Sequence, residues 1–334
     1  MKFLITGLGS IGQRHYRNLF ALGERNIVVY RTGRGSNKKF IAAFIKEFRP
    51  KIFYDFSEAL AYKPDAVIIT NPTALHVRLA RQAMASGAHV FTEKPFSHSL
   101  AGTQSLIDLA KKKKLVGYVG YNLRFHPLLR KMKHWFDSGA IGKPVSARAE
   151  IGEYLPDWHP WENYRKTYAA REDLGGGVVL TQSHDIDYLY WFFGKAERVA
   201  AFGGTKSDLG IDADDMAEAI IEFRSGVVAS LGMNYLARPP KRQFEILGTQ
   251  GRMLWDYHGK ILKLAPFKQN AAPRIVHEPK NFERNTMFIE ELKHFIRCAE
   301  GKDKPLVDLA DGMESLKIAL AVKGSIKKGK IINV

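Results

Sequence analysis

The segment Gly7-Leu8-Gly9-Ser10-Ile11-Gly12, set directly behind the β-prone run Lys2-Phe3-Leu4-Ile5-Thr6, narrows the possible folds more than any other stretch of the chain. The run ahead of the glycines reads as a buried strand. Behind them, Ile11, His15, Asn18 and Leu19 recur at helical spacing. Strand, glycine turn and helix in that order is the context a G-x-G-x-x-G match requires. Gly7 permits a tight turn, Gly9 lets backbone approach a pyrophosphate, and Gly12 allows close packing of helix on strand. Ser10 and Ile11 open the helix, where unpaired N–H groups and the positive end of the helix dipole suit phosphate oxygens. The expectation is a dinucleotide site; the plain alternative is a tight turn.

Alternation then continues. Short apolar runs at 27–30, 52–54, 65–69, 88–91 and 115–120 read as strands, and 56–61, 74–86 and 100–113 read as helices. Strand–helix units of this length predict a parallel, doubly wound sheet. From about Tyr121 the pattern changes. A helix at 127–138 is followed by strand-like runs at 145–151, 198–203, 216–223, 227–235, 242–247, 251–257 and 261–264. Hairpin-type turns fall at Ser225-Gly226 and Thr249-Gln250-Gly251. Helices are expected at 178–193, 282–299 and 309–327. The reading is α/β, with a doubly wound parallel sheet in a first domain, 1–122. An α+β second domain, 123–334, carries a large, mostly antiparallel sheet. At 334 residues the chain exceeds what one core usually serves.

Four places carry candidate chemistry. Thr92-Glu93-Lys94-Pro95 follows the strand at 88–91, and ligands of parallel sheets gather outside the carboxyl ends of the strands. A lysine and a glutamate there need partners or a task; otherwise the tetrapeptide is a surface turn. Asn71-Pro72-Thr73, after the strand at 65–69, opens the helix at 74–86. The second strand ends in Tyr30-Arg31-Thr32-Gly33-Arg34, with Ser36, Lys38 and Lys39 behind it. No carboxylate stands where a ribose 2′-OH would be bound, whereas Arg31, with Arg34 or Lys38, suits a 2′-phosphate. NADP is therefore slightly favoured over NAD, the alternative being an exposed basic loop. In the second domain, Gly175-Gly176-Gly177 precedes the helix at 178–193. There His184 and Asp187 share a face with Thr181 and Trp191. That pair reads as a base and its orienter, or as a satisfied core histidine. The segment Tyr154-Leu155-Pro156-Asp157-Trp158-His159-Pro160-Trp161 offers aromatic faces to a sugar ring, or packs on the sheet.

The formal charge is +17, from 51 basic and 34 acidic residues. The densest run, Lys111 to Lys114, ends a predicted helix, where cations suit the dipole. No zinc-finger spacing and no RNA-recognition motif is present, so no metal and no nucleic acid are expected. Solvated surface plus an anionic small ligand accounts for the charge. The sole cysteine, Cys298, excludes an internal disulfide and suits a reducing compartment. No apolar stretch reaches the ~18 residues of a membrane span. A soluble, cytoplasmic protein is expected.

Together, Gly12-Gln13-Arg14-His15, Asn71-Pro72-Thr73-Ala74-Leu75-His76, Glu93-Lys94-Pro95 and the triple glycine with His184 and Asp187 occur in the order seen in one family. The chain resembles the glucose–fructose oxidoreductase / inositol dehydrogenase / MocA family over nearly its whole length, most densely up to about Gly194. The resemblance implies an N-terminal Rossmann domain and a C-terminal domain with an open sheet that often forms the interface of a homo-oligomer, dimer or tetramer. It implies a nicotinamide-dependent oxidoreductase acting on a hydroxyl or keto group of a sugar, sugar derivative or polyol. Carried over, Lys94 is the catalytic lysine, His184 its acid–base partner and Asp187 the acid that helps hold the reacting hydroxyls. Asn71, Pro72, His76, Glu93 and Asn122 line the nicotinamide side. Arg124, His126, Trp158, His159 and Thr181 are the expected substrate contacts. Two departures stand out: the glycines lie one residue closer to His184 than in many members, and Thr181 stands where an aspartate is frequent. Members with this short form resemble enzymes of surface-sugar metabolism. Other readings of the same residues are a glycosidase that reoxidises and re-reduces NAD within each turnover, and a dinucleotide sensor without chemistry.

Overall fold

The computed structural model describes residues 1–33 and 38–334, and the side chains of all of these except Lys38 and Lys39. The chain forms two compact units. One is Met1–Tyr121 with Arg284–Met313; the other is Asn122–Glu283 with Glu314–Val334.

In the first unit, β1 (Phe3–Thr6), β2 (Ile27–Tyr30), β3 (Lys51–Phe53), β4 (Ala66–Ile69), β5 (His89–Glu93) and β6 (Gly117–Gly120) make one sheet in the order β3-β2-β1-β4-β5-β6. Every pairing is parallel. Such strands are covered on both faces and read as continuous apolar runs. Leu4, Val67 and Val90 pack on one face, with Phe3, Ile5, Ile68 and Phe91 on the other. Each such side chain contributes about 1.5–3 kcal/mol on burial. Helices α1 (Ser10–Ala21), α2 (Lys38–Phe48), α3 (Phe56–Ala61), α4 (His76–Ala85) and α5 (Thr103–Lys113) form the crossovers. The strand order reverses between β1 and β4, which opens a crevice at their carboxyl ends.

Helix α2 has no counterpart in the sequence reading, which saw only a basic segment there. Its apolar stripe begins at Ile41 and Phe44, behind two lysines, and Phe44 meets Tyr16 edge to face at 5.0 Å. Helix α9 (Arg284–Ala299) also belongs to this unit. Leu292 and Phe295 enter the core, and Asn285 exchanges hydrogen bonds of 2.8 and 3.2 Å with Asn18.

The second unit is built on nine strands: β7 (Pro144–Gly152), β8 (Ala196–Gly204), β9 (Met216–Phe223), β10 (Val228–Asn234), β11 (Lys241–Gly248), β12 (Gly251–Asp256), β13 (Ile261–Pro266), β14 (Arg274–His277) and β15 (Ile332–Asn333). Their order is β14-β13-β12-β11-β7-β10-β9-β8-β15, antiparallel throughout except for the parallel pair β10–β7. The strands alternate as one-sided sheets do. Leu231, Met233, Phe244, Ile246 and Trp255 are buried, while Phe202 (80% exposed), Ile220, Val228 and Leu247 lie on open positions. Helices α6 (Pro127–Asp137), α7 (Val178–Thr181), α8 (His184–Phe193) and the part of α10 (Leu309–Lys328) from Glu314 onward complete the unit. The continuous helix expected at 178–193 is broken at Gln182 and Ser183. The Gln182 side chain is drawn aside by two partners, accepting from Arg242 at 3.1 Å and donating to Glu153 at 3.1 Å.

Candidate functional site

The glycine loop has the geometry its spacing implies. Gly7 holds φ +98°, a left-handed conformation that costs glycine little. A Cβ on Gly12 would stand 2.3 Å from the Gly7 carbonyl oxygen, so only glycine lets α1 sit this close to β1. A Cβ on Gly9 would meet nothing within 4 Å, so the loop faces open space there. Helix α1 has no capping side chain and no acid in its first turn. The N–H groups of Ser10, Ile11 and Gly12 thus keep their donors available, as helix ends do. Asn71 borders Gly7, and its Oδ1 is buried with no partner among the described residues. A loop of this shape, with uncapped donors and an orphaned acceptor beside it, fits a dinucleotide.

Lys94, half-buried, follows the last residue of β5. Glu93 Oε1 lies 2.7 Å from His15 Nε2, and its Oε2 accepts the Lys94 amide at 3.2 Å. Burial by itself raises the Glu93 carboxyl; the bond and charge of His15 and the charge of Lys94 outweigh it and hold the group below its ordinary value. On the other side His76 spans two carbonyls, with Nδ1 2.9 Å from Pro95 O and Nε2 2.8 Å from Asn71 O. Burial draws the His76 ring below its ordinary pKa. The neutral imidazole carries one N–H, so it donates to one of these two carbonyls and lies beside the other, between the carboxyl ends of β4 and β5.

In the second unit, His184 opens α8 and is partly exposed. The turn it follows is anchored from below. Arg242 reaches Gln182 at 3.1 Å and Asp185 at 3.3 Å, and the Tyr188 hydroxyl donates to Asp185 at 2.5 Å. Burial pushes the Asp185 carboxyl up to about 6, against the pull of Arg242. Asp187 is 2% exposed, and its carboxylate is occupied. Arg124 donates from Nε to Oδ2 at 2.9 Å and from Nη2 to Oδ1 at 2.8 Å, a bidentate fork, and the Ser315 hydroxyl adds 3.0 Å. Thr181 lies on α7, not on the helix of His184; its hydroxyl donates to Gly177 O at 2.8 Å and pairs with the Tyr235 hydroxyl. The triple glycine is a packing requirement. A Cβ on Gly176 would sit 2.2 Å from Tyr168 O, and one on Gly177, at φ +94°, 2.4 Å from Asp214 Oδ1.

The remaining expected residues divide. Trp158 packs edge to face on Tyr235 at 5.5 Å, and Trp158 Nε1 and His159 Nδ1 are buried without partners among the described residues. Asn122 and Arg124 lie in the turn Asn122–Phe125 and are buried. His126, expected at substrate, has no exposed surface. Trp255, Phe282 and Tyr257 enclose it at 5.0, 5.1 and 5.5 Å. A Glu278 oxygen is 3.2 Å from its Nε2 but outside hydrogen-bonding geometry. Burial and the nearby Arg242 pull its pKa down to about 3. Arg31 is half-exposed and its amide donates to Phe53 O at 3.0 Å. Arg34 and Ser36 lie outside the described residues, as do the side chains of Lys38 and Lys39.

Sequence reasoning assigned no role to His15, Asp214, Tyr235 or Arg242. For Arg242 a signal existed: it takes an inward position of β11, where alternation calls for an apolar residue.

The six-stranded doubly wound sheet and its phosphate-ready glycine loop define a dinucleotide-binding protein of the Rossmann class. The model of an oxidoreductase family with an NAD-binding Rossmann fold matches residues 1–121, and that of the GFO/IDH/MocA C-terminal domain matches residues 129–254. The chain belongs to the GFO/IDH/MocA oxidoreductase family. It is 26% identical to the myo-inositol 2-dehydrogenase of Thermotoga maritima, over 100% of this chain and 98% of that one. It is 24% identical to the UDP-N-acetylglucosamine 3-dehydrogenase of Acidithiobacillus ferrooxidans, over 98% and 97%. Among solved structures, levoglucosan dehydrogenase in complex with NADH and levoglucosan has a TM-score of 0.87 at 22% identity, covering 100% of this chain and 99% of that one. The WlbA dehydrogenase of Bordetella pertussis, in complex with NADH and UDP-GlcNAcA, has a TM-score of 0.81 at 21% identity, over 100% and 98%. Among the described residues no helix is long and apolar enough to cross a membrane, and no cluster of metal-ligating side chains occurs.

Proposed function

We propose that this oxidoreductase interconverts a secondary hydroxyl and a keto group on a sugar, a sugar derivative or a polyol. The observation that carries this reading is the half-buried Lys94 at the carboxyl end of β5, fixed on both sides of its turn in the sheet that bears the glycine loop. The nicotinamide, when bound, supplies or takes up the hydride. Gly7, Gly9, Ser10, Ile11 and Gly12 would hold its pyrophosphate, and Asn71, Pro72, His76, Glu93 and Asn122 its nicotinamide side. Lys94 hydrogen-bonds the reacting oxygen and stabilises charge that develops on it. An imidazole nitrogen of His184 takes the hydroxyl proton in oxidation and returns it in reduction. Asp187 acts on the reacting hydroxyls by holding Arg124 in place. Trp158 and His159 supply donors and an aromatic face to the sugar, beside Thr181.

The substrate class follows the relatives, which carry the names of inositol, levoglucosan and nucleotide-sugar dehydrogenases. The charge of +17 favours an anionic sugar derivative. Arg31, at the end of β2 with no acid beside it, favours NADP(H) slightly over NAD(H). The exposed apolar positions Phe202, Ile220, Val228 and Leu247 suit a second copy of the chain on the open sheet, giving a homo-oligomer. The single buried cysteine, Cys298, suits the cytoplasm.

One experiment tests the whole reading. The purified protein is incubated with NAD or NADP and myo-inositol, levoglucosan, UDP-N-acetylglucosamine or its uronate, and the nicotinamide absorbance is followed. At least one sugar should yield reduced cofactor, and Gly9→Val, which fills the open space of the loop, should abolish binding of both reduced cofactors in calorimetry. Glycoside cleavage without accumulating reduced cofactor would move the assignment to a redox-neutral glycosidase. Cofactor binding with no turnover of any sugar would move it to a sensor.

A further inference from the structure

Two histidines grip the Lys94 turn, and the proton chemistry uses neither. His76 lies between Pro95 O and Asn71 O, at 2.9 and 2.8 Å, and donates to one of them. His15 ties Glu93, from a different element: it stands on α1, whose first turn is the glycine loop, while Glu93 ends β5. His15 is 0% exposed. Phe91 and Phe288 pack edge-on against its ring at 5.2 and 6.2 Å, and Nδ1 has no partner among the described residues. The polar reach of the ring is therefore spent on the one contact at Glu93 Oε1, 2.7 Å away. Burying a carboxylate is costly, and an apolar pair of similar size would join α1 to β5 at least as well. The pair is better explained by what the carboxylate does next: its other oxygen holds the Lys94 amide at 3.2 Å.

We propose that His15, acting through Glu93, is a positioning residue for Lys94. It fixes the carboxylate that holds the lysine's backbone and sets the negative charge beside its ammonium. The lysine turn is thereby coupled to the helix that begins at the phosphate loop. The inference rests on the reading that Lys94 is catalytic, and the test separates the two.

The first readout needs no substrate. His15→Ala, His15→Gln and Glu93→Gln are trace-labelled with acetic anhydride. Acetylation of Lys94 is read by peptide mass spectrometry against the exposed Lys112 of the same sample. In His15→Ala the Glu93 carboxylate loses its partner and its charge acts on the neighbouring cations, Lys94 and Arg14, so Lys94 labelling should slow by about threefold or more. His15→Gln, whose amide donates one hydrogen bond to the carboxylate, should restore most of the rate. Glu93→Gln, which removes the charge and keeps the shape, should speed labelling, and it keeps the test alive if His15→Ala does not fold. In His15→Ala and His15→Gln, NADH affinity by calorimetry should stay within about twofold, because the pyrophosphate contacts are backbone groups. With a sugar that is turned over, kcat should fall about tenfold or more in His15→Ala at nearly constant KM, the pattern of a loss confined to the transition state. Unchanged Lys94 labelling in folded His15→Ala, or equal labelling in His15→Ala and His15→Gln, overturns the proposal. Full turnover by Lys94→Ala would instead overturn the catalytic reading of Lys94, while the labelling result would still decide the role of His15.

Discussion

The turn that carries Lys94 and the turn that carries His184 are held by different chemistry. At Lys94 the fixings are carbonyl oxygens met by His76 and one His15–Glu93 pair, close to backbone that the parallel sheet already defines. At His184 they are two buried guanidiniums, Arg124 on Asp187 and Arg242 on Asp185, brought in from distant parts of the second unit. A strand end in a parallel sheet is placed by its ladder, so a few hydrogen bonds finish the site. A helix start beside a broken turn has no ladder, and buried charge pairs take over the positioning. The difference has a cost, since a buried ion pair that loses one partner leaves an uncompensated charge.

The largest expected effects concern turnover and would show whether both turns serve one reaction. Lys94→Ala and His184→Ala should each lower kcat by about 10²–10⁴-fold with fold and NADH affinity retained, the range for a positioned acid or base. A loss of only about tenfold at either position, ~1.4 kcal/mol of barrier, would remove that residue from the proton path.

Next comes the ion pair itself. Arg124→Leu should destabilise the protein by about 3–5 kcal/mol in urea titrations, because Asp187 stays buried and charged. Adding Asp187→Leu should recover most of that loss. If the double variant is as unstable as the single one, the second turn does not depend on charge pairing, and the contrast with Lys94 fails.

A smaller effect distinguishes the units by pH. His126 is held neutral, with its folded pKa near 3 against about 6.5 when unfolded. Its contribution is complete above pH 6.5 and is lost as pH falls toward 3, by about 2 kcal/mol at pH 5. His126→Phe should flatten that part of the stability profile, measured by denaturation at pH 7 and pH 5. A profile unchanged by the substitution would mean that His126 is not the acid-labile group.

The smallest effect is cofactor choice. Arg31 is half-exposed, which limits what its charge contributes. NADPH should bind about tenfold tighter than NADH, ~1.4 kcal/mol. Arg31→Ala should remove most of that margin and leave NADH nearly untouched. Wild-type preference for NADH, or equal weakening of both, would end the 2′-phosphate role.

Much of the first unit was legible along the chain. Strand-length apolar runs alternating with helical ones gave the parallel sheet, and Gly7 and Gly12 announced the close approach that the loop requires. Helix α2 was hidden because its stripe of Ile41, Phe44 and Phe48 starts behind a lysine pair. The mostly antiparallel sheet was legible from alternation; its exposed apolar positions, Phe202, Ile220, Val228 and Leu247, emerged only in the structure. The helix at 178–193 was not read correctly, because its break depends on Gln182 finding Arg242 and Glu153, which lie 60 and 29 residues away.

By itself the sequence determined what depends on neighbours in the chain: element type from periodicity, the glycine loop from spacing, and the class of chemistry from an ordered set of motifs. Tertiary structure alone decided which charges are spent on one another. Asp187 looks like an open carboxylate on a helix face until Arg124, 63 residues earlier, and Ser315, 128 residues later, take both of its oxygens. His126 looks like a substrate contact until three rings close around it. Segment 284–313 packs into the first unit although it follows most of the second in the chain. Burial and pairing are set by residues far apart in sequence, and periodicity reports only on residues a few positions away.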